Sequence, residues 1–376
     1  MMKSKVLKHI LRMMTLPFAA ACGMPTFYKN DARKAPELKF GADGKFKILH
    51  ITDIHEVDPE MDDDENFEVP RDCSVETVNV IEKSLEKAQP DMVIFGGDNI
   101  SGYWQEFDYE YVQKTIDKIT LPIRKRNIPF AIVFGNHDSE IQKFFREFQM
   151  LCYMRYENFI GTFNAEEMHG CGNQNIIIKS SDGKKAAFNL WLMDSNDYPR
   201  DENGNKTPGY DCLHKDQLDW YERTAEKLKA ENGGKPLPSM LFQHIPVSQE
   251  YDGLKKVSEG TPGALKDGEG NHYILNEEYC ESGVMGELPC PPGNRDRTQF
   301  ELWKKHGDIV AAVFGHDHVN NFIMNIDGIK LIQTFGAGYH TYGEKGGSRL
   351  IVLNENDPWN FETESYQIPR ITTTKL

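Results

Sequence analysis

The sequence has no apolar run that reaches the ~18 residues of a membrane-spanning helix, and acidic residues outnumber basic ones. Its 376 residues include 43 Lys and Arg against 58 Asp and Glu, which gives a formal net charge of −15. A non-specific grip on nucleic acid requires basic patches, so we expect no binding to a nucleic-acid polymer. An anionic substrate must be attracted by something other than net charge, and a bound cation is the best candidate.

No internal repeat is visible, and the composition excludes a wholly disordered chain. Hydrophobic residues make up 39% of the sequence and charged residues 27%, which are globular values. The length suits one large domain or two ordinary ones and is ample for a hydrophobic core.

The N-terminus has the layout of an export signal. Four basic residues lie between Lys3 and Arg12, and the uncharged, largely apolar stretch Met13–Ala21 follows. This stretch is too short to span a bilayer but is typical of a secretory signal. We therefore expect residues 1–22 to be a signal peptide or a lipoprotein signal.

Small residues directly before Cys22 also resemble a bacterial lipoprotein cleavage site, although Ala19 stands where leucine is usual. If Cys22 is lipidated, it would attach the protein to a membrane. The polar, Pro- and Lys-containing stretch 23–44 is predicted to be a tether. The mature protein would then be periplasmic, a cell-surface lipoprotein or secreted.

The six cysteines after Cys22 contain no C-x-x-C pair, which argues against a cysteine-ligated zinc site. An even number in an exported chain permits disulfides, but six cysteines allow fifteen pairings. Cys280 and Cys290, close together in a loop-like stretch, are the best candidate pair. Free buried thiols are the alternative.

Several short apolar runs are bounded by Gly, Asp, Asn or His and are rich in Ile, Val and Phe, which predicts buried strands. Five of them end close to residues that can bind a metal: Phe46–Ile51, Met92–Phe95, Phe130–Phe134, Met240–Phe242 and Ile309–Phe314. Four more strands are predicted at Ile176–Ile178, Ala186–Met193, Lys330–Phe335 and Arg349–Leu353.

Helical spacing of apolar residues between these runs predicts three helices. The predicted buried faces are Val75, Val78, Ile81 and Leu85 before Pro90; Tyr109, Val112, Ile116 and Ile119 before Pro122; and Leu218, Tyr221, Ala225 and Leu228 before Gly233. Strands that alternate with helices predict an α/β sandwich, here a single domain over 45–376. The polar stretches 197–211 and 248–297 are predicted to be loop insertions, which often act as lids or binding loops.

Each of the five strands runs into residues that can bind a metal. The segments that follow them are Asp53-Ile54-His55, Gly97-Asp98, Gly135-Asn136-His137-Asp138, Gln243-His244 and Gly315-His316-Asp317-His318. In α/β sheets, ligands bind at the carboxyl ends of strands. Carboxylate and imidazole groups suit Zn, Mn, Fe and related ions.

Single pieces of this pattern are weak evidence. Gly97-Asp98 is a common turn dipeptide, and His244 alone would more often be a satisfied core histidine. The segments Gly135–Asp138 and Gly315–His318 are more specific because histidine is rare. Turn chemistry alone would not require histidine at four of five strand ends.

The order of these segments resembles the calcineurin-like metallophosphoesterase superfamily, whose motifs run D-x-H, G-D, G-N-H-D/E, H and G-H-x-H. The resemblance covers Phe46 to Leu353 and implies a sandwich of two mixed β-sheets flanked by helices. The residues in and around these motifs are similar to those of the purple-acid-phosphatase-like branch of the superfamily. In true purple acid phosphatases a metal-binding tyrosine stands where this chain has Ser101, and Tyr103 is two residues too late. Those enzymes also lack a histidine at the position of His55, so the general two-metal pattern fits better than an iron–tyrosinate site.

The resemblance implies roles for individual residues. Two divalent or mixed-valence ions (Mn, Fe or Zn) would be bound, the first by Asp53, His55 and His318, the second by Asn136, His244 and His316, and both by a bridging Asp98. His137 would face the substrate as a general acid or as a donor to phosphoryl oxygens, and Asp138 would fix the tautomer of His137.

The expected function is therefore an exported dinuclear-metal phosphoester hydrolase that attacks small phosphomonoesters with a metal-activated water. A phosphodiesterase for nucleotides or phospholipid head groups is the alternative, because the motifs do not separate the two. A non-catalytic binding relative is a third reading. Such relatives normally lose metal ligands, and none is missing here.

Overall fold

The structure, a computed structural model, describes residues 36–57, 71–101, 109–141, 145–343 and 346–369. The predicted signal and Cys22 lie outside these residues, as does Tyr103. The described residues from Glu37 onward form one compact unit. None of the helices in this part of the chain is long and apolar enough to cross a membrane.

The larger of two main sheets has eight strands in the order β1-β5-β6-β7-β12-β14-β13-β11. Their bounds are Leu38–Lys39 (β1), Gln174–Lys179 (β5), Ala186–Leu192 (β6), Ser239–Phe242 (β7), Cys280–Val284 (β11), Ile309–Phe314 (β12), Asn321–Ile326 (β13) and Ile329–Gln333 (β14). Strands β6, β7, β12 and β14 are parallel neighbours.

The smaller main sheet has five strands in the order β16-β15-β2-β3-β4. They are Lys45–Ile51 (β2), Met92–Gly96 (β3), Phe130–Val133 (β4), Gly346–Asn354 (β15) and Phe361–Ile368 (β16). Strands β2, β3 and β4 run parallel to one another. Each predicted strand is therefore present, with ends that differ by a few residues.

Within the described residues, five helices cover the sheets: Arg71–Ala88 (α1), Tyr109–Lys125 (α2), Arg146–Tyr153 (α3), Lys215–Glu231 (α4) and Thr298–His306 (α5). The prediction that α2 stops before Pro122 is wrong, because the helix continues to Lys125 and buries Ile123 completely. The predicted buried face of α1 is also partly wrong. Val75 is 56% exposed, whereas Val80, Ile81 and Leu85 are buried.

Three hydrophobic clusters define four layers. Alternate residues of the central strands face opposite ways, so that Met92 and Ile94 of β3 pack between the two sheets, while Val93 and Phe95 pack under α1 and α2. A third cluster joins the outer face of the eight-stranded sheet to α4 and α5. The architecture is an α/β sandwich of two mixed sheets flanked by helices, as the sequence predicted.

The predicted tether does not extend to residue 44. Leu38 and Lys39 pair in parallel with Ile178 and Lys179 of β5, and Phe40 is only 1% exposed. These apolar side chains join the core between the sheets, so the folded part begins before residue 45.

The insertion 248–297 is not an irregular loop. It contains a 3-10 turn at Ser248–Gly253, the strands Leu254–Val257 (β8), Leu265–Lys266 (β9) and His272–Leu275 (β10), and β11. Strands β8, β10 and β9 form a separate three-stranded sheet, whereas β11 pairs with β13.

The proposed disulfide between Cys280 and Cys290 is absent, and all six described cysteines are free thiols. Cys280 begins a strand, and its Sγ lies 3.4 Å from the Ser282 carbonyl oxygen. The Cys290 Sγ lies 3.5 Å from the Leu288 carbonyl oxygen. Each thiol therefore contacts backbone of its own segment. The alternative of free buried thiols is correct for Cys73, Cys152 and Cys171, whereas the other three thiols are free but only partly buried.

Candidate metal centre

The carboxyl ends of five strands from both sheets meet at one edge of the sandwich. Backbone hydrogen bonds connect the segments after β2 and β3, because the amides of Asp53 and His55 donate to Gly97 and Asp98. The amide of Gly315, after β12, donates to the carbonyl of His244, after β7, at 3.2 Å. The predicted ligands are thus adjacent although they are up to 265 positions apart, from Asp53 to His318.

Six of the predicted ligands form two buried clusters that share one carboxylate. The first cluster is Asp53, His55, Asp98 and His318, and the second is Asp98, His244 and His316, each with its ligand atoms within 4.8 Å of one another. Asp98 belongs to both clusters, as a bridging ligand would.

In the first cluster, nitrogen and oxygen atoms of different side chains lie close together. The Nε2 atom of His318 lies 3.3 Å from Asp53 Oδ1 and 3.2 Å from His55 Nε2. The His55 Nε2 atom also lies 3.5 Å from Asp98 Oδ2. Two imidazole nitrogens can approach this closely only when at least one lone pair points inward, which is the orientation that metal binding requires.

In the second cluster, His244 Nδ1 lies 2.9 Å from the Gly96 carbonyl oxygen. Since a carbonyl only accepts, the proton sits on Nδ1 and Nε2 faces Asp98 Oδ2 at 3.0 Å. Neither ring nitrogen of His316 has a hydrogen-bond partner, and neither does Oδ1 of Asn136, although all three atoms are buried.

Buried polar atoms without partners are costly and rare in folded proteins. The unpartnered atoms of His316 and Asn136 therefore fit a site in which bound cations would be their partners. The donor set of imidazole, carboxylate and amide oxygens suits Mn, Fe or Zn. The residues present thus fit a pair of metal ions.

Four of the ligand residues have backbone conformations in the left-handed region. The φ angles are 51° for Asp53, 44° for His55, 50° for Asp98 and 75° for His316. Residues other than glycine rarely adopt such angles, and they cluster at functional sites. The turns after β2, β3 and β12 are thus strained, and this strained backbone places the four side chains at the edge of the sandwich where the strands end.

Two glycines allow the ligand turns to approach one another. A Cβ atom at Gly135 would lie 2.2 Å from Asp98 Oδ1, and one at Gly315 would lie 2.5 Å from Asp53 Oδ2. This close approach lets the amides of His137 and His316 donate to the carboxylates of Asp98 and Asp53, at 2.8 Å and at 3.0–3.1 Å.

In the metal-free chain, burial lowers the pKa of His244 and His318, but the charges of Asp98 and Asp53 outweigh burial and raise both, that of His244 to about 10, so His244 must lose a proton before it can bind a metal. Four other ligand residues already have the protonation state that a metal requires. Burial lowers the pKa of both His55 and His316 to about 3, so both imidazoles are neutral. Burial opposes ionisation of Asp53 and Asp98, but the nearby histidines, above all His244, outweigh it and lower the pKa of both carboxyls. Metals bind neutral imidazole and ionised carboxylate.

The prediction that Asp138 fixes the tautomer of His137 is not supported by the structure. Oδ1 of Asp138 accepts the amides of Asn99 and Ile100, and Oδ2 accepts that of Gly135 at 2.8 Å. Glu140 takes the predicted place instead, with Oε2 at 2.6 Å from His137 Nδ1. Asp138 therefore holds the turns after β3 and β4 together.

His137 lies beside the two clusters and belongs to neither. Its ring centroid is 5.1 Å from that of His55. Burial lowers its pKa, but the negative charges of Asp98 and Glu140 outweigh burial and raise the pKa of His137 to about 9. A bound cation would oppose this shift.

Aromatic residues that sequence reasoning did not single out surround the centre. The rings of Tyr210 and His316 are in a T-shaped contact with 4.2 Å between their centroids, and Tyr342 stacks on the His318 ring with a centroid distance of 4.1 Å. Tyr198 donates to Glu140 Oε1 at 2.8 Å. Two of them, Tyr198 and Tyr210, belong to the insertion 197–211. The prediction that this insertion is a binding loop was the only sequence signal that pointed to them.

The model of the calcineurin-like phosphoesterase family matches residues 46–320. Two Arabidopsis thaliana proteins are similar to the chain. "Probable inactive purple acid phosphatase 14" is 30% identical over 85% of this chain and 77% of the relative. "Probable inactive purple acid phosphatase 29" is 29% identical over 91% of this chain and 84% of the relative.

Among solved structures, a dimetal phosphatase from Danio rerio aligns with a TM-score of 0.49 and 13% identity, over 86% of this chain and 99% of that one. The family match covers the five ligand segments from Asp53 to His318. The chain therefore belongs to the calcineurin-like phosphoesterase family and is homologous to purple-acid-phosphatase-like proteins.

Proposed function

We propose that the protein is an exported phosphatase that hydrolyses small phosphomonoesters with two bound metal ions. The observation that carries the proposal is the sharing of the Asp98 carboxylate by two buried ligand clusters. When bound, two metal ions supply charge stabilisation of the transferring phosphoryl group and acidify the attacking water. They would also supply the positive potential that a chain of net charge −15 otherwise lacks.

The geometry supports the proposed ligand roles. Asp53, His55 and His318 would hold one ion, Asn136, His244 and His316 the other, and Asp98 both. This assignment is supported by the two clusters and by the orphaned Oδ1 of Asn136, which lies outside both.

His137 is proposed to protonate the leaving group. Its Nδ1 atom contacts Glu140, so the other ring nitrogen, Nε2, is directed away from Glu140. The Glu140 carboxylate beside Nδ1 favours the protonated imidazole that a general acid requires. Donation to a phosphoryl oxygen from Nε2 would use the same orientation.

A non-catalytic role is the competing proposal, and the names of the relatives favour it. The two Arabidopsis proteins are called probable inactive. In this chain, however, the residues that would hold both ions are present, and six of them form the two clusters. A complete ligand set in strained, buried turns supports a hydrolase over a binding protein.

Metal removal tests the proposed function. We expect the purified protein to hydrolyse phosphomonoesters, to lose that activity on dialysis against a chelator, and to regain it when Mn, Zn or Fe is restored. A panel of phosphomonoesters and phosphodiesters would identify the substrate class. Full turnover by the demetallated protein would refute a metal-activated water, and preference for diesters would favour the alternative substrate class.

The residue at the tyrosine position predicts the colour of the iron form. The chain has Ser101 there. Ser101 is buried, and its amide donates to the Glu56 carbonyl oxygen at 3.1 Å. We expect the iron-loaded protein to lack the purple tyrosinate absorption band, with the Ser101→Tyr variant as the comparison. A strong visible band in the unmodified protein would show that another tyrosine binds the iron.

A further inference from the structure

Glu140 and Tyr198 connect two residues that belong to opposite parts of the proposed chemistry. Glu140 Oε2 lies 2.6 Å from Nδ1 of His137, the proposed acid. The Tyr198 hydroxyl donates to Glu140 Oε1 at 2.8 Å and accepts from Nδ2 of Asn136 at 3.1 Å. One continuous chain of hydrogen bonds therefore runs from a proposed metal ligand to the proposed acid.

The contact with Tyr198 decides which way the Asn136 amide faces. Its nitrogen donates to the tyrosine hydroxyl, so its oxygen points elsewhere and is buried without a hydrogen-bond partner. Only the amide oxygen has a lone pair for a cation, whereas the amide nitrogen is a donor. If the amide were flipped, a metal would meet the nitrogen.

The contact with Glu140 decides where the proton of His137 sits. An ionised carboxylate only accepts, so the proton shared between Nδ1 and Oε2 belongs to the imidazole. The ring is thereby held in one orientation with Nε2 directed away from Glu140. Asp138 does not take this role, because its carboxylate is directed at the backbone amides of Asn99 and Gly135.

The insertion 197–211 holds Tyr198 in place by further contacts. The Lys206 ammonium lies 3.9 Å from the centre of the Tyr198 ring, a cation–π contact. Asp197 accepts the hydroxyl hydrogen of Ser139 at 2.7 Å. The insertion is thus attached both at Tyr198 and directly to the turn that carries His137.

We propose that Glu140 and Tyr198 are positioning residues of this site: Glu140 fixes the tautomer of His137, and Tyr198 fixes the amide of Asn136 with its oxygen toward the metal. The inference rests on the proposed function, since it assigns roles within that site. It makes the insertion part of the reaction centre. Partners of this kind are typically worth ~10–100-fold in metal affinity or activity.

The first arm of the test measures metal binding, which does not depend on turnover. Mn²⁺ is titrated into the demetallated protein and into Tyr198→Phe, which removes only the hydroxyl. We expect the weaker-binding ion to lose ~10–100-fold in affinity. Tyr273→Phe is the matched control, because Tyr273 lies in β10, in the separate three-stranded sheet, and should bind Mn²⁺ as the unmodified protein does. Unchanged affinity in Tyr198→Phe would overturn the role of Tyr198.

The second arm follows the proton on His137. We expect the NMR spectrum of the demetallated protein to show a downfield His137 Nδ1–H resonance that is lost in Glu140→Ala. In the metal-loaded protein, kcat of Glu140→Ala should fall ~10–100-fold with a smaller change in KM. Glu140→Gln should recover part of the loss, since an amide oxygen still accepts from Nδ1. Glu157→Gln, at an exposed position, is the control.

The two arms separate failure of this inference from failure of the proposed function. If the resonance persists in Glu140→Ala, the role of Glu140 is wrong whatever the activity. If metal affinity and the resonance change as expected but no variant or unmodified protein hydrolyses a phosphoester, the positioning roles stand and the proposed function is wrong.

Discussion

The Asp98→Ala variant is expected to lose phosphatase activity and at least one bound metal while it keeps its fold. Asp98 is the only residue common to both ligand clusters, so a single carboxylate serves both ions. Loss of an ion removes several kcal/mol of transition-state stabilisation, and about 1.4 kcal/mol corresponds to a tenfold change in rate. A fall in kcat of ~10³-fold or more should follow, together with a metal content below two per chain.

Metal analysis and circular dichroism on the same sample check this expectation. Asp219→Ala, which removes an exposed carboxylate paired with Lys215 on α4, should retain both activity and metal. Two ions in a folded but inactive Asp98→Ala protein would contradict the bridging role.

The His137→Ala variant should keep both metals and lose most of kcat. The imidazole lies beside the clusters and belongs to neither, so removing it leaves the ligands intact. A positioned general acid contributes roughly 10²–10⁴-fold. The loss should be smaller for a nitrophenyl phosphate, whose leaving group needs no proton, than for an alkyl phosphate.

Leaving groups of graded pKa distinguish the roles that His137 can have. An equal loss across the series would show that His137 stabilises phosphoryl oxygens and does not donate a proton. Loss of a metal would show that it is a ligand. An active but less stable variant would show that the ring only packs the turn.

The five ligand segments were predictable because their signals are local. A buried strand that ends in glycine and histidine predicts both the turn and its direction, and parallel strands bring their ends to one edge. Six of the seven proposed ligands, all except Asn136, therefore lie in the clusters of the structure. Asn136 lies at the same edge with its oxygen unpartnered.

The partner of His137 was not predictable from adjacency. Asp138 is the next residue, but His137–Ser139 forms a 3-10 turn, in which side chains three residues apart are aligned. Glu140 is therefore beside the His137 ring, while Asp138 points to the backbone of Asn99. The run from Gly135 to Glu140 contained the information, but only the turn geometry selects the correct carboxylate.

The strands of the insertion 248–297 were missed for a different reason. Strands β8, β9 and β10 are partly exposed and have no fully buried face. The sequences of β8 and β9 lack the apolar run that marks a buried strand, and the run in β10 is only three residues long. Their pairing is a backbone property between neighbouring segments. The contact of Tyr198 with Asn136 likewise joins residues 62 positions apart, and no local pattern predicts it.

The most direct test of the two-metal account is a titration of the demetallated protein with Mn²⁺ in which bound metal and phosphomonoester hydrolysis are measured together. The account predicts that activity is absent at zero metal and reaches its maximum when two ions are bound per chain. Full activity without metal, or no hydrolysis of any phosphoester with both positions filled, would contradict it.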